Sequence, residues 1–333
     1  MTDTDRERLV APIFVVGLTR SGSTLWHNIV SLAAELCRLP EMHFLAPGRK
    51  DFRFFLKEHV GDLSNDANLD RMVDLIFDDK AVSGIAYPFW RFEFLDVEQR
   101  QQAKTRLLER LKESDRSLKA IFQSLIETMT FVTGKTNCCV KFPVHVKHVP
   151  DLLEWYPDCK VVHIIRDPRA IAMSKTNDPG GTAHLIRKWG FLRYPIQKGM
   201  MTWVSFQYVW CSRLHTHYKK LPNYSLFVYE DLLANPKEVL PKLFDFIGVD
   251  VDRDSLDPAT GVHEHQKSSL TGKRRKAIDP TAASNWKKVI GPIEKALITF
   301  FTRSGMKRFG YDPDSHPVFT MAEPQEGSET VRT

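Results

Sequence analysis

No window of the 333 residues offers the roughly 20 consecutive apolar positions that cross a bilayer, and the early run "PIFVVGL" is only the size of a strand. The opening "MTDTDRERLVAPIFVV" also lacks the basic-then-hydrophobic order and the small-residue cleavage site of a signal peptide. The sequence therefore predicts a soluble, cytoplasmic protein with no membrane span. Five cysteines, Cys37, Cys138, Cys139, Cys159 and Cys211, form an odd, scattered set without a C-x-x-C pair. That argues against a disulfide framework or a zinc site and for buried, reduced thiols. The 12 histidines include "VHVKHV" and "HEH" but no H-E-x-x-H with a third ligand, so no metal is expected. There is no internal repeat. The net charge of +6 suits an anionic ligand or an ordinary solvated surface and does not call for a nucleic-acid partner.

What is present is a series of short apolar runs, each followed by a loop and then by helix-compatible spacing. "APIFVVGL", "LCRLP", "TNCCVKF", "KVVHII" and "YSLFV" read as strands, and "STLWHNIVSLAAEL", "VPDLLEWYPDC" and the stretch after "YEDL" read as helices. Strands this apolar, separated by helices, predict an α/β fold with a parallel sheet covered on both faces. The expectation is one domain over residues 1–317, with a helical insertion at about 48–130 and a loose tail at 318–333. In the insertion, "QQAKTRLLERLKESDRSLKAIFQSLIETMTFVTG" is the clearest amphipathic pair, and the aromatic "SGIAYPFWRFEFLD" reads equally as an acceptor pocket or as core.

The loop "GLTRSGSTL" keeps the spacing G-x-x-x-x-G-K-[ST] in Gly17, Gly22 and Thr24, but Ser23 stands in the lysine position. Backbone N–H groups from Ser21 to Leu25 are expected to point into one concavity, where the helix N-terminus adds partial positive charge. Ser21, Ser23 and Thr24 add hydroxyls, Arg20 stands in for the lysine, and a doubly charged tetrahedral oxyanion fits. An ATPase would also need a Mg²⁺ ligand and an acidic strand end. The corresponding strand ends in "IIRDPR", which favours anion capture over metal–nucleotide chemistry. "RDPRAIAMS" puts Arg166 at a strand terminus and Ser174 eight residues on. Arginine can grip a phosphate bidentately while the serine donates to it, although a plain turn with a helix cap reads the same way.

With these motifs the chain resembles the sulfotransferases that use 3′-phosphoadenosine 5′-phosphosulfate (PAPS). "GLTRSGSTL" is similar to their 5′-phosphosulfate loop, "VVHIIRDPRAIAMS" to the strand, turn and helix that hold the 3′-phosphate, and "VYEDLLANPKEVLPKLFDFIGV" and "SNWKK…GYDP" to later segments in the same order. The resemblance implies a P-loop-NTPase-like sheet, PAPS as donor, 3′,5′-ADP as product and no metal. It implies that Arg20 and Ser21, Gly22, Ser23, Thr24 and Leu25 bind the 5′-phosphosulfate, that Arg166 and Ser174 take the 3′-phosphate, and that Tyr229 contacts the adenine. Lys273, Arg274, Arg275 and Lys276, in a basic run where family members close a loop over the donor, are candidate phosphate ligands.

Sulfuryl transfer needs an acceptor oxygen in line with the departing phosphate, a base for its proton, and cations at the leaving oxygens. The cytosolic enzymes of the family place a histidine after the lysine in K-T-H, whereas this chain reads "KFPVH", with Pro143 there. The branch resembling tyrosylprotein and bacterial enzymes uses a glutamate after the second strand, and Glu41 in "LPEMHFLAP" matches it. Glu41 is thus the expected general base, with His43 as runner-up and His145 third. The resemblance further implies Lys141 against the bridging oxygen and Ser284 near the sulfuryl. Acceptor specificity is expected in residues 48–130 and in 176–205, the latter containing "NDPGGTAHLIRKWGFLRYP", residues 177–195, which with its Gly180-Gly181 pair suggests a flexible lid. The acceptor is a small-molecule, lipid or glycan hydroxyl; a protein-tyrosine acceptor does not carry over. The rival readings are a P-loop nucleotide kinase and a non-catalytic nucleotide-binding protein.

Overall fold

The computed structural model describes residues 11–33, 36–39, 41, 43–45, 51–77, 92, 94–143, 145–178, 186, 188–249, 280–311 and 313. Five strands, β1 (Ile13–Gly17), β2 (Cys37–Leu39), β3 (Cys138–Lys141), β4 (Lys160–Ile165) and β5 (Tyr224–Val228), form one sheet in the order β2-β3-β1-β4-β5 with every pairing parallel. Alternate residues of one strand enter opposite cores, as a period of two requires. Phe14 and Val16 join a large cluster on one face, while Ile13 and Val15 join a second cluster on the other. Burial on both faces is why the strands read as unbroken apolar runs.

The smaller core is closed by α1 (Ser23–Ala33), α9 (Tyr229–Ala234) and α10 (Pro236–Ile247). The larger core takes the insertion, α2 (Phe52–Phe55), α3 (Asp66–Phe77), α4 (Val97–Lys112) and α5 (Leu118–Val132), together with α6 (Val149–Trp155), α7 (Pro168–Thr176), α8 (Arg193–Tyr218) and α11 (Pro292–Arg308). The amphipathic pair in the insertion is present and clearly capped. Asp96 accepts the Gln99 N–H at 2.8 Å while the Gln99 side chain accepts the Asp96 N–H at 3.2 Å, a capping box, and Ser117 accepts the Ala120 N–H at 3.1 Å. Of the aromatic stretch beside it, Phe92 is core, its ring stacked 4.9 Å from that of Phe77; residues 82–91 lie outside the described residues.

The lid expectation needs correction over part of its length. Arg193, Tyr194 and Pro195, the last residues of the expected lid, open the 26-residue helix α8. Pro195 falls in the first helical turn, where no intrahelical N–H bond is lost. The Gly180-Gly181 pair lies outside the described residues.

The sheet places the ends of β1, β3 and β4 side by side, and β1 approaches β4 unusually closely at its last residue. Gly17 has φ +151°, and a Cβ there would lie 2.4 Å from the carbonyl oxygen of Ile164. Gly17→Ala is therefore expected to lower unfolding free energy by about 1–3 kcal/mol through strain and clash together, measured by urea denaturation.

Candidate active site

The loop after β1 turns through two residues with positive φ besides Gly17. Gly22, at φ +95°, has no room for a side chain, since a Cβ would lie 2.3 Å from the Tyr229 ring. Arg20, at φ +76°, holds a conformation that costs a non-glycine residue about 1 kcal/mol or more. The cradle is narrower than the expected five N–H groups. Ser21 spends its N–H on the Leu18 carbonyl at 3.0 Å, closing the turn, and Leu25 spends its own on the Gly22 carbonyl at 2.9 Å, opening α1. Gly22, Ser23 and Thr24 keep N–H groups that bond to none of the described residues, at the N-terminus of an 11-residue helix. The Ser21 hydroxyl is also not on the loop surface. It is fully buried without a hydrogen-bond partner among the described residues, lining a small cavity with His163, Arg166 and Tyr208. The Leu25 side chain belongs to the smaller core, so that residue offers the loop only its backbone.

Arg166 follows β4 directly and ties three segments together. One terminal nitrogen donates to the Arg20 carbonyl at 3.2 Å and the other to the Ala282 carbonyl at 3.1 Å, while the guanidinium lies 4.4 Å over the Tyr229 ring. Its Nε is buried and has no partner among the described residues. Ser174, in the second turn of α7, accepts from Arg20 Nε at 2.9 Å, and Lys175 Nζ donates to Thr19 Oγ1 at 3.0 Å. Residues expected at opposite ends of one ligand thus meet directly, with Arg20 joining the loop to Ser174. Tyr229 serves as a buried platform between Gly22 and Arg166.

A second group sits at the end of β3. Lys141 is level with Val15 of β1, and its Nζ donates to Glu41 Oε2 at 2.6 Å; His43 Nε2 lies 3.4 Å from Glu41 Oε1. The Glu41 side chain is the most open of the three, 34 % exposed against 16 % for Lys141 and 17 % for His43. His145 is removed from the candidate bases. It is fully buried, its Nε2 accepts the Leu45 N–H at 3.2 Å and its Nδ1 donates to the Pro143 carbonyl at 2.6 Å. Burial also holds its pKa well below the ordinary value, so it is neutral and has no free nitrogen. The Ser284 hydroxyl donates to the Thr281 carbonyl at 3.3 Å, just before a short turn at Asn285–Lys288. Lys273, Arg274, Arg275 and Lys276 lie outside the described residues.

Sequence reasoning missed a buried network behind Arg166. Asp167 and Arg169 form an ion pair at 2.7 Å, both almost without exposure, and Arg169 lies 4.8 Å over the Trp286 ring. Glu230 accepts the Asp167 N–H at 3.0 Å and the Tyr311 hydroxyl at 2.8 Å. Burial raises the Glu230 pKa from 4.5 to about 7, against the pull of the Arg166 charge. The motifs "YEDL" and "GYDP" contained both Glu230 and Tyr311, but nothing in their spacing said that they would meet. Among the described residues there is no group of three or more side chains suited to hold a metal, and no helix long and apolar enough to cross a membrane.

Comparison with known proteins points one way. Residues 12–253 match the family described as the sulfotransferase family. The omega-hydroxy-beta-dihydromenaquinone-9 sulfotransferase Stf3 of Mycobacterium bovis is 26 % identical over 266 residues, covering 72 % of this chain and 63 % of that protein. The protein of the same name from Mycobacterium tuberculosis matches equally, so the chain spans about 63 % of the length of these relatives. Among solved structures, the sulfotransferase domain of the Synechococcus PCC 7002 olefin synthase superposes with a TM-score of 0.55 at 20 % identity, covering 91 % of this chain and 96 % of that one. The sulfotransferase domain of the curacin biosynthetic pathway gives 0.53 at 18 % identity, covering 92 % and 99 %. These two likenesses show the fold, a P-loop-like parallel sheet flanked by helices.

The raised pKa of Glu230 has a measurable consequence. Folding favours its protonated form, so the stability it contributes is complete below pH 4.5 and is lost as pH rises through about 7. Glu230→Gln imitates the neutral carboxyl. Wild type is expected to lose stability relative to this variant by about 1 kcal/mol per pH unit across that window, read from denaturant unfolding at a series of pH values.

Proposed function

The chain belongs to the sulfotransferase family, and on that footing we propose that it moves a sulfuryl group from PAPS to an acceptor hydroxyl and releases 3′,5′-ADP. The observation that carries this reading is the Glu41–Lys141 pair, a carboxylate and an ammonium 2.6 Å apart at the same sheet edge as the anion loop. When bound, PAPS supplies an activated sulfuryl group whose leaving group is a phosphate. The residues suit such a ligand: three unspent N–H groups at a helix N-terminus, Arg20 beside them, and an arginine with one donor still unused.

In this reading Glu41 accepts the proton of the acceptor hydroxyl, and the Lys141 ammonium stabilises negative charge at the departing oxygen. His43, on the other carboxylate oxygen, orients Glu41. Arg166 holds the 3′-phosphate with Ser174, and the Asp167–Arg169–Glu230–Tyr311 network fixes its backbone. Ser284 and the basic run at 273–276 complete the donor site. The acceptor we favour is a small-molecule or lipid hydroxyl, in line with the mycobacterial relative, whose name gives a menaquinone derivative as its substrate. One domain over residues 1–317 would carry this chemistry, and five buried free cysteines suit a reducing compartment such as the cytoplasm.

A P-loop kinase is disfavoured by Ser23 in the lysine position and by Arg166 where an acid would hold Mg²⁺. The test is transfer of label from radioactive PAPS to a panel of hydroxyl acceptors. Glu41→Gln and Lys141→Ala are each expected to lower turnover by about 100-fold or more, with folding unchanged. Arg166→Ala is expected to weaken 3′,5′-ADP binding about tenfold, read by calorimetry. Tight 3′,5′-ADP binding without transfer to any acceptor would instead support a binding protein, and Mg²⁺-dependent ATP turnover a kinase. Full activity in Glu41→Gln together with loss in His43→Ala would move the base to His43.

A further inference from the structure

Helix α8 is apolar on two opposite sides. One side, with Met201, Val204, Tyr208 and Cys211, is buried against the larger core. The other repeats at helical spacing and faces water: Trp203, Phe206 and Trp210 are 58 %, 60 % and 44 % exposed, and Arg213 continues the stripe. It extends onto α11, where the Phe301 ring lies 6.2 Å from that of Phe206 and 5.5 Å from that of Phe300, itself 76 % exposed. At the entry to α8, Trp189, Phe191 and Tyr194 are exposed as well. Single exposed rings are ordinary, but a continuous set across two packed helices marks an interaction surface.

The charges on the two helices of this face are predominantly positive. From Pro179 to Tyr229 the sequence has no aspartate or glutamate, while Lys188, Arg193 and Arg213 are exposed. Glu294, the one acid of α11, is engaged by Lys198 at 2.6 Å, and the rest of that helix carries Lys295, Arg303, Lys307 and Arg308. We propose that this aromatic and basic face docks the protein peripherally on an anionic lipid bilayer. Tryptophan and tyrosine rings settle at the headgroup level with their polar edges wet, and lysine and arginine are drawn to the negative surface. A second copy of the chain fits less well. A two-fold contact through this face would bring its cations together with Glu294, already paired with Lys198, as the one acid of the two helices, and the outer side of a helix is convex, offering a partner no pocket. The inference stands apart from sulfuryl transfer, because it uses no residue of the anion loop or of the Glu41–Lys141 pair.

The test is co-sedimentation of the full chain with vesicles of equal parts phosphatidylcholine and phosphatidylglycerol, against vesicles of phosphatidylcholine alone. Binding to the anionic vesicles, a blue shift of tryptophan emission and release by salt are expected. The triple variant Trp203→Ser, Phe206→Ser, Trp210→Ser should lose the binding while keeping its circular dichroism and unfolding midpoint, because the three rings are on the outside. Arg193→Gln and Arg213→Gln should each weaken binding about fivefold. No association with the anionic vesicles, or equal association with the uncharged ones, overturns the proposal. A wild-type dimer in sedimentation that the triple variant converts to monomer also overturns it, assigning the face to a second copy. Binding of 3′,5′-ADP, read by calorimetry, should be unaffected in all these variants, so failure here is distinguishable from failure of the sulfotransferase reading.

Discussion

The site depends on one buried guanidinium. Arg166 reaches the backbone of the anion loop through the Arg20 carbonyl and the segment at 280–283 through the Ala282 carbonyl, and rests on the Tyr229 ring. A cation so nearly sealed from water is expensive unless its donors are matched, and here two are matched by carbonyls while Nε has no partner among the described residues. Its own partners hold it at the strand end rather than neutralise it. Of the neighbouring acids, Asp167 is paired with Arg169, and Glu230, whose protonated form burial favours, accepts from the Tyr311 hydroxyl.

The arrangement at β3 follows a different rule. Lys141 and Glu41 neutralise each other at the mouth of the site, at the more exposed end of the residues involved. A surface pair of this kind adds little to stability, so its value lies in keeping both groups charged and close. His43 shares the same carboxylate, which limits how far Glu41 can turn.

Much of this was legible in the sequence, for identifiable reasons. Strands buried on both faces appear as apolar runs, so β1, β3, β4 and β5 were found with nearly their observed ends. The loop glycines were legible because Gly17 and Gly22 occupy positions where a Cβ would collide with Ile164 and Tyr229. The cradle was overestimated, because spacing does not reveal which N–H groups a turn consumes; Ser21 and Leu25 lose theirs to Leu18 and Gly22. No helix was read over α8, whose apolar residues fall on two opposite sides and so form no single stripe; Pro195 sits in its first turn and leaves it intact. The contact of Glu230 with Tyr311 joins residues far apart in the chain, and local pattern contains no information about such a meeting.

The central position of β1 has a consequence for how the chain comes to exist. Its two neighbours in the sheet are β3 and β4, so Ile13 pairs with Cys139 on one side and Lys160 on the other. A nascent chain leaving the ribosome holds an apolar strand with nothing to pair against until the polypeptide has grown past residue 141, and the strand gains its second neighbour only past residue 165. Through that interval a strand that the finished core buries on both faces is exposed to aggregation.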